Sequence, residues 1–408
     1  MKTWAKRGLA AVLAAGLLGA GSWGYLYSKL PDTFLVPQGQ GLVLAQLPWL
    51  KPQAAQGVQS VALAQTGSSY NVTLSAFGWL PIKQVRAVVV EQRAVTVCGT
   101  PFGIKMFSQG AMVVGFTDVQ QLAGSANPAK RAGLRMGDRI LAMNGVTTSS
   151  NEEVAQVIQN SQGRSVTVQY SRDGQTMETQ LEPVQDAETG RWLAGMWVRD
   201  SSAGIGTLTF VENSTGIYGG LGHAISDADT GESIALRSGE IASVTITGAV
   251  KGAAGSPGEL QGRFLTGLAL GDILSNGSSG VYGHYYGAAP GKDYLAAAAQ
   301  QVHQGSAQIL ATVEGTQPKL YDAVIERVSL TEDDPNRNMV IRVTDPELLE
   351  KTGGIVQGMS GSPVIQDGQW VGAVTHVLVN DPTRGYGIFA ENMLNAADQA
   401  EQGSKSQS

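Results

Sequence analysis

Ser360 has the best surroundings for nucleophilic chemistry, in the segment Gly358-Met359-Ser360-Gly361-Ser362-Pro363. The nearby glycines let the backbone turn sharply, so that its N–H groups can point at an incoming carbonyl. Peptide hydrolysis also needs a base, a group that orients the base, and donors for the oxyanion. A tight Gly-Ser turn between two strands would have the same composition, so the rest of the chain must decide. Ser362 is the weaker nucleophile candidate.

The search for a general base is short because the chain has 4 histidines, His223, His284, His303 and His376. His223 lies among small residues in Gly219–Ile225, which leave its ring open to a cleft. It precedes Ser360 by a long stretch of chain, which fits a protease that takes one catalytic residue from each of two halves. His284 lies among tyrosines and His303 in a polar segment, where structural or solvated roles are expected.

The Gly-x-Ser-Gly-x-Pro pattern resembles the nucleophile segment of chymotrypsin-like proteases. The resemblance implies that Ser360 attacks and that the N–H groups of Gly358 and Ser360 form the oxyanion hole. In such folds, the strand after the nucleophile pairs with the substrate backbone. Thr375 and His376 are therefore expected to line the substrate, although His376 also competes with His223 for the role of base.

A carboxylate should hold the imidazole in the correct tautomer. Spacing does not choose among the candidates, which are Asp227, Asp229, Asp272, Asp322 and Asp345.

Residues 98–190 are expected to form a second functional unit. Pro101-Phe102-Gly103-Ile104 and the run Ala129–Gly145 resemble a PDZ domain. The resemblance implies that Phe102, Gly103 and Ile104 bind a peptide carboxylate and pair with the peptide by β-augmentation. The wall of the groove would be a helix over Asn151–Gln162, capped by Ser150. Its apolar residues would equally serve to fill the core of the domain.

Other segments predict a mainly β protein of several parts. Residues 31–97 alternate polar and apolar in short runs and predict a small β-rich domain. Residues 191–398 contain short β-prone runs separated by Gly and Ser, which are typical of a barrel or sandwich. Residues 399–408 are polar and are expected to fray. The 408 residues are enough for two or three domains.

The N-terminus predicts export. Lys2, Lys6 and Arg7 precede an uncharged apolar stretch from Gly8 to Tyr27. Residues 1–30 are therefore assigned to a signal or membrane anchor, with cleavage left open and the rest of the chain placed across the membrane. A net charge of −6 and the absence of a long basic run argue against nucleic acid as a partner. Cys98 is the sole cysteine, which excludes an internal disulfide and a cysteine-based zinc site. No metal or other cofactor is expected.

A more specific resemblance covers nearly the whole chain. Several motifs are similar to those of the SpoIVB peptidases of endospore-forming bacteria: Gly222-His223-Ala224, Ser256–Leu260, Thr344-Asp345, Thr352–Pro363, Gly372–Val377, Asn380–Thr383 and Gly385–Ile388. That family also has an N-terminal membrane segment, a PDZ domain and a peptidase domain. Carried over by position, its catalytic residues are Ser360, His223 and Asp345, in a chymotrypsin-like double β-barrel.

The resemblance implies a function in sporulation signalling. The protease would be exported from the forespore into the space between two membranes. There it would cut itself and a regulator of an intramembrane metalloprotease, so that a late sigma factor is activated. Two rival functions remain, a non-catalytic scaffold that recruits peptides through the PDZ domain and an envelope quality-control protease. The order of PDZ domain before peptidase favours the signalling type.

Overall fold

The computed structural model describes residues 23–54 and 65–406. The predicted signal or anchor segment lies largely outside these ranges, apart from a short helical stretch over residues 23–28. No helix in the described part of the chain has both the length and the apolar character needed to cross a membrane.

The first unit is a four-stranded sheet with strand order β1-β4-β3-β2. Its strands are β1 (Thr33–Pro37), β2 (Leu50–Ala54), β3 (Ser69–Ala76) and β4 (Leu80–Val90). Alternation positions Val72, Leu74 and Ala76 on one buried face. Phe77 and Gly78 have positive φ and turn β3 back into β4. Residues 33–90 thus form the kind of small β-rich unit that the sequence predicts.

A second group of elements surrounds one long helix. It follows strand β5 (Ala94–Phe116) and contains β6 (Val119–Gln121), β7 (Gly124–Ala126), α1 (Pro128–Arg131), β8 (Arg139–Met143), β9 (Val146–Thr147), α2 (Asn151–Ser161), β10 (Val166–Arg172), β11 (Gln175–Leu181), β12 (Val184–Gln185) and β13 (Trp192–Leu193). Ser150 and Glu153 form a capping box at the start of α2. Val154 and Ile158, one turn apart on α2, pack into the core of this unit.

The third group begins with the long strand β14, which runs alongside almost the whole of β5. It contains β14 (Met196–Val211), β15 (Ile217–Gly220), β16 (Leu236–Val250), β17 (Glu259–Phe264), β18 (Gly271–Asp272), β19 (Ser275–Gly277), β20 (Gly280–His284) and β21 (Lys292–Leu295). β14 pairs with β5 from Met196 opposite Phe116 to Val211 opposite Thr96. These strands join β5 and β8 to β11 in one 13-stranded sheet, while β6 pairs with β7 and β12 with β13 in two separate two-stranded sheets.

The last group closes into a barrel with strand order β22-β23-β24-β27-β26-β25. Its elements are β22 (Gly305–Ala311), β23 (Lys319–Val328), β24 (Met339–Val343), α3 (Pro346–Thr352), β25 (Pro363–Gln366), β26 (Gln369–Leu378), β27 (Asp381–Phe389) and α4 (Ala390–Lys405), with 3₁₀ turns at Ala299–Gln301 and Pro335–Arg337. Within the described residues this is the one closed barrel. The sequence predicted two barrels, but the strands of the first half belong to the larger open sheet.

The end of the chain also differs from the sequence prediction. Residues 399–408 were expected to form a frayed polar tail, but α4 continues to Lys405. Ala397 and Ala400 are buried in the cluster that contains Trp370. Small apolar side chains spaced along one helix face explain why a mostly polar sequence packs here.

Candidate active site

Ser360 lies in a sharp turn between α3 and β25. Gly358 and Gly361 on either side have φ of 93° and 92°, a region that disfavours residues with a Cβ. A Cβ on Gly361 would also collide with the backbone of Thr207. Met359 is fully buried and anchors the turn in the barrel core. The glycines are thus required by the turn that presents Ser360.

Two backbone N–H groups in this turn have no partner among the described residues. Met359 N–H donates to Val356, and Gly361 N–H donates to Val374 at 2.7 Å. The N–H groups of Gly358 and Ser360 donate to none of the described residues. Both residues line a cleft of about 800 Å³. The pair that the sequence predicted as the oxyanion hole is therefore free to bind a substrate oxygen.

The side chain of Ser360 is turned toward the neighbouring strand β26. Its hydroxyl donates to the carbonyl oxygen of Thr375 at 2.7 Å. Within the described residues, it makes no hydrogen bond to an imidazole. Rotation about the Cα–Cβ bond would free the hydroxyl for another acceptor. Ser362 is fully buried with an unpaired hydroxyl and is absent from the lining of the cleft.

His223 lines the same cleft as Ser360. It follows β15 through a turn in which Leu221 and Gly222 have positive φ. Its Nδ1 lies 2.9 Å from the carbonyl oxygen of Ala224. A carbonyl can only accept, so Nδ1 carries the proton and Nε2 has a free lone pair. Burial lowers the pKa of His223, which keeps the ring neutral near pH 7.

His376 also lines the cleft, beside Thr375. Its ring centroid lies 4.5 Å from that of His223, with the planes inclined by 32°. Desolvation, with a further contribution from the charge of His223, lowers the pKa of His376 to about 4. The structure thus brings together five of the six residues predicted for the peptidase site: Ser360, His223, Gly358, Thr375 and His376.

Asp345 is not among the residues that line this cleft. It is the N-cap of α3, where one carboxylate oxygen accepts from the N–H groups of Glu347 and Leu348. The other oxygen accepts from the N–H of Asp322 at 3.3 Å. The expected contact between Asp345 and His223 is therefore not formed, because the N–H groups in the first turn of α3 take one oxygen and the N–H of Asp322 on β23 takes the other. The carbonyl of Ala224 occupies the position at Nδ1 instead.

The other candidate carboxylates also have partners of their own. Asp227 and Asp229 both pair with Arg199, which lines the cleft. Asp272 accepts from the N–H of His284 and lies 3.2 Å from its Nδ1. Asp322 accepts from the side chain of Gln308. Within the described residues, no group of three or more His, Cys, Asp and Glu side chains is arranged to hold a metal ion.

The predicted PDZ peptide site needs correction. Phe102, Gly103 and Ile104 lie in the middle of β5, which pairs there with β14 on one side and β16 on the other. Both edges of the strand are occupied, so a peptide cannot add to it. Gly103 also packs against the ring of Phe264. Phe102 and Gly103 are part of the sheet and not of a peptide groove, and Ile104, also in the sheet, lines the cleft that contains Ser360.

A groove of about 440 Å³ lies instead beside α2. Val154, Ala155 and Ile158 on α2 form one wall. The opposite wall is residues 192–198, where β13 leads into β14. The predicted boundary at residue 191 assigns Trp192 and Trp197 to the peptidase domain, whereas in the structure they line this groove. The run Leu193-Ala194-Gly195-Met196 is the sequence signal for this wall.

Sequence reasoning also missed two threonines that hold the nucleophile turn. Thr207 and Thr209 on β14 both hydrogen-bond to it. Their alternation with Leu208 and Phe210 indicates a strand, but it does not indicate the hydrogen bonds that the threonines make.

A serine in a glycine turn, which shares a cleft with an imidazole and with two N–H groups that donate to no described residue, is typical of serine peptidases. Comparison with known families agrees. Residues 190–394 match the SpoIVB peptidase S55 family, and residues 124–172 match the PDZ domain family. The chain belongs to the SpoIVB peptidase S55 family, as its motifs predicted.

Two further similarities are partial. A protein of Neisseria meningitidis serogroup A / serotype 4A, named as a zinc metalloprotease, is 33% identical over 95 residues, which are 22% of this chain and 21% of that protein. The chain thus spans about a fifth of the length of this relative. The PDZ domain of an SdrC-like protein from Listeria monocytogenes is 20% identical, with a TM-score of 0.18, over 22% of this chain and 87% of that one.

Proposed function

We propose that the protein hydrolyses peptide bonds in a polypeptide substrate, with Ser360 as the nucleophile and His223 as the base. The observation that carries the proposal is the pair of free N–H groups beside Ser360, in a cleft that also contains His223. The arrangement is chymotrypsin-like in that the closed barrel supplies the nucleophile and the preceding sheet supplies the base.

In the first step, the Ser360 hydroxyl turns away from Thr375 and donates to Nε2 of His223. The oxygen attacks the scissile carbonyl as its proton moves to Nε2. The negative charge that develops on the carbonyl oxygen is stabilised by the N–H groups of Gly358 and Ser360. His223 then gives the proton to the leaving amine. Water repeats the sequence on the acyl-enzyme and releases the second product.

The group that orients His223 in this proposal is the carbonyl of Ala224, which accepts from Nδ1 at 2.9 Å. A neutral carbonyl fixes the tautomer as a carboxylate would. It stabilises the imidazolium less, because it has no full charge. His376 lies against the ring and limits its movement. Thr375 and His376 line the path of the substrate on strand β26.

We further propose that the substrate is a signalling protein of sporulation and that the enzyme also cuts itself. Membership of the SpoIVB peptidase S55 family supports this. The uncharged stretch Gly8–Tyr27 behind three basic residues supports export and attachment to the membrane. The PDZ domain supports a polypeptide partner, such as a regulator of an intramembrane metalloprotease.

A fluorophosphonate probe tests the chemistry, because it labels a serine that an adjacent base activates. The full-length protein in detergent is expected to react, while Ser360→Ala and His223→Ala do not. Ser362→Ala is the matched control, since its hydroxyl is buried and unpaired, and it should react like the unchanged protein. Labelling of Ser360→Ala at the normal rate would refute Ser360 as the nucleophile, whereas a lack of labelling of the unchanged protein would favour a non-catalytic scaffold.

The biological role needs a separate test. A sporulating bacterium that lacks its own SpoIVB-type peptidase should recover late sigma-factor activity when it expresses this protein and not when it expresses Ser360→Ala. Sequencing the N-termini of fragments from the unchanged protein and from Ser360→Ala would identify self-cleavage, as fragments that only the unchanged protein produces. Recovery by the Ser360→Ala variant would contradict a proteolytic role.

A further inference from the structure

Strand β14 presents two hydroxyl groups to the turn that contains the nucleophile. Because side chains alternate along a strand, Thr207 and Thr209 lie on one face, and Leu208 and Phe210 point into apolar clusters on the other. Both threonines are buried, with 3% and 0% of their surface exposed. Buried hydroxyls need partners, and these two find them in the turn.

Three hydrogen bonds join β14 to the nucleophile turn. The Thr207 hydroxyl donates to the carbonyl of Gly358 at 2.9 Å. The Thr207 N–H donates to the carbonyl of Ser360 at 3.0 Å. The Thr209 hydroxyl donates to the carbonyl of Gly361 at 2.7 Å. Two threonines thus hold three of the four carbonyls from Gly358 to Gly361.

The remaining carbonyls of the turn are held by other donors. The carbonyl of Gln357 accepts from Leu260, and that of Met359 accepts from Ser362. Every carbonyl from residue 357 to residue 361 therefore has a partner, while the N–H groups of Gly358 and Ser360 have none within residues 23–54 and 65–406. Because a peptide unit is planar, a fixed carbonyl also fixes the N–H of the next residue. The carbonyls of Gln357 and Met359, held by Leu260 and Ser362, thus fix the planes that contain the two free N–H groups. Thr207 holds the planes that directly follow them, through the carbonyls of Gly358 and Ser360. Rotation of any peptide plane in the turn would break one of these bonds.

We propose that Thr207 and Thr209 are positioning residues that keep the oxyanion hole open by holding the carbonyls of the nucleophile turn. The inference rests on the proposed function, since it assigns these threonines to the same hydrolytic site. Neither hydroxyl touches the substrate. Their loss lets the turn relax, so that the free N–H groups no longer point at the oxygen on which charge develops.

The test measures the rate at which full-length protein reacts with a fluorophosphonate. In that reaction the Ser360 oxygen bonds to phosphorus, the P–F bond breaks, fluoride leaves and the proton passes to His223. We expect Thr207→Val to lower the maximal labelling rate roughly tenfold. This loss is smaller than the one caused by removing an oxyanion-hole donor altogether, because the N–H groups remain and are only displaced. The probe concentration that gives half of the maximal rate should stay within about twofold of the value for the unchanged protein. Thr207→Ser keeps the hydroxyl and should therefore be labelled at close to the rate of the unchanged protein.

Thr312→Val is the matched control. Thr312 is also buried, with 3% exposed, and its hydroxyl donates to the carbonyl of Gly99 at 3.0 Å, away from the turn. This variant should keep the normal rate. Should Thr207→Val fail to fold, Thr209→Val tests the same inference, because it removes the hydrogen bond to the carbonyl of Gly361 in the same turn.

The possible outcomes separate this inference from the proposed function. Normal labelling of Thr207→Val and Thr209→Val, together with no labelling of Ser360→Ala, would overturn the positioning role alone. Equal losses in Thr207→Val and Thr312→Val would overturn it too, because the effect would be general destabilisation. If the unchanged protein were not labelled, the proposed function would fail and this inference with it.

Discussion

The imidazole rings of His223 and His376 face each other in the cleft, with centroids 4.5 Å apart. A proton on one ring would repel a proton on the other, and the charge of His223 contributes to the lowered pKa of His376. Desolvation lowers the pKa of both rings. The pair is therefore neutral at physiological pH, which is the state that a general base needs.

The first prediction concerns the pH dependence of the reaction. His223 acts as a base only when it is deprotonated, and burial lowers its pKa below the ordinary value near 6.5. The rate of fluorophosphonate labelling should thus be high above pH 6.5 and fall at lower pH, with its midpoint below 6.5. Rates measured from pH 4.5 to 8 would check this. A midpoint above 7 would indicate a carboxylate beside the ring, because a negative charge raises the pKa of histidine.

The second prediction concerns Asp345. The family resemblance implies that Asp345→Asn is almost inactive, since loss of the triad carboxylate costs roughly 10⁴-fold in turnover. The structure places this side chain at the start of α3, where Asn caps a helix about as well as Asp. We therefore expect Asp345→Asn to keep labelling within about tenfold. Asp345→Ala should lower the free energy of unfolding by about 1 kcal/mol.

Ser150→Ala is the control for that experiment, because Ser150 caps α2 in the same way. Its effect on unfolding should be similar, also about 1 kcal/mol. A thousandfold loss of labelling in Asp345→Asn, with unchanged unfolding, would show that the carboxylate reaches His223 during catalysis and that the triad is correct.

The sequence predicted the local features of the site but not the contacts made across units. The glycine turn around Ser360 and the PDZ helix over Asn151–Gln162 were recognisable because each depends on residues close together in the chain. The wall of the PDZ groove was not, since residues 192–198 lie 30 or more residues beyond α2. Periodicity describes which faces of a strand are apolar, and it does not indicate which edges are paired. The assignment of Phe102, Gly103 and Ile104 failed for that reason.

The third prediction concerns the ion pairs beside the cleft. Burial alone would raise the pKa of Asp227, but Arg199 and the N–H groups of Thr230 and Asp229 lower it overall. Arg199→Met leaves this carboxylate buried without its charged partner. Because Arg199 is partly exposed and the backbone donors remain, we expect a loss of about 1 to 2 kcal/mol in the free energy of unfolding. Chemical denaturation at pH 7 would measure it.

The pH dependence of that loss follows from the sign of the shift. A carboxylate with a lowered pKa in the folded state stabilises the protein above its unfolded pKa near 3.8, and this contribution disappears as the pH falls through the folded value. The difference between Arg199→Met and the unchanged protein should therefore shrink at acidic pH. Arg263→Met is the control, as an exposed arginine for which the described residues offer no ion pair. An equal loss of stability in Arg199→Met and Arg263→Met would contradict a stabilising ion pair between Arg199 and Asp227.

The fourth prediction distinguishes a strand in a sheet from a peptide-binding loop. Gly103 lies between β14 and β16, and an added Cβ would collide with the ring of Phe264. Gly103→Asp should thus lower the stability of the sheet by more than about 2 kcal/mol, through overpacking and burial of a charge. Thermal unfolding would show the loss. Gly204→Asp is the comparison, since a Cβ at Gly204 meets no atom within 4 Å, and a small effect is expected there. Normal unfolding of Gly103→Asp would contradict a buried position in the sheet and favour a peptide-binding loop at Gly103.

The last prediction concerns the groove between α2 and residues 192–198. Ala155 is exposed and lines this groove, so Ala155→Arg should fill it without disturbing the core. Gln156→Arg adds the same charge at the next position of the helix, which is exposed but outside the groove. If the PDZ domain binds the polypeptide that the peptidase cuts, Ala155→Arg should slow self-cleavage by about tenfold or more, the loss expected when a peptide site worth at least 1.4 kcal/mol is blocked. Labelling of Ser360 by a small fluorophosphonate should remain normal in both variants, because the probe does not need the groove. Equal self-cleavage rates in Ala155→Arg, Gln156→Arg and the unchanged protein would show that the groove has no part in presenting the cleavage site.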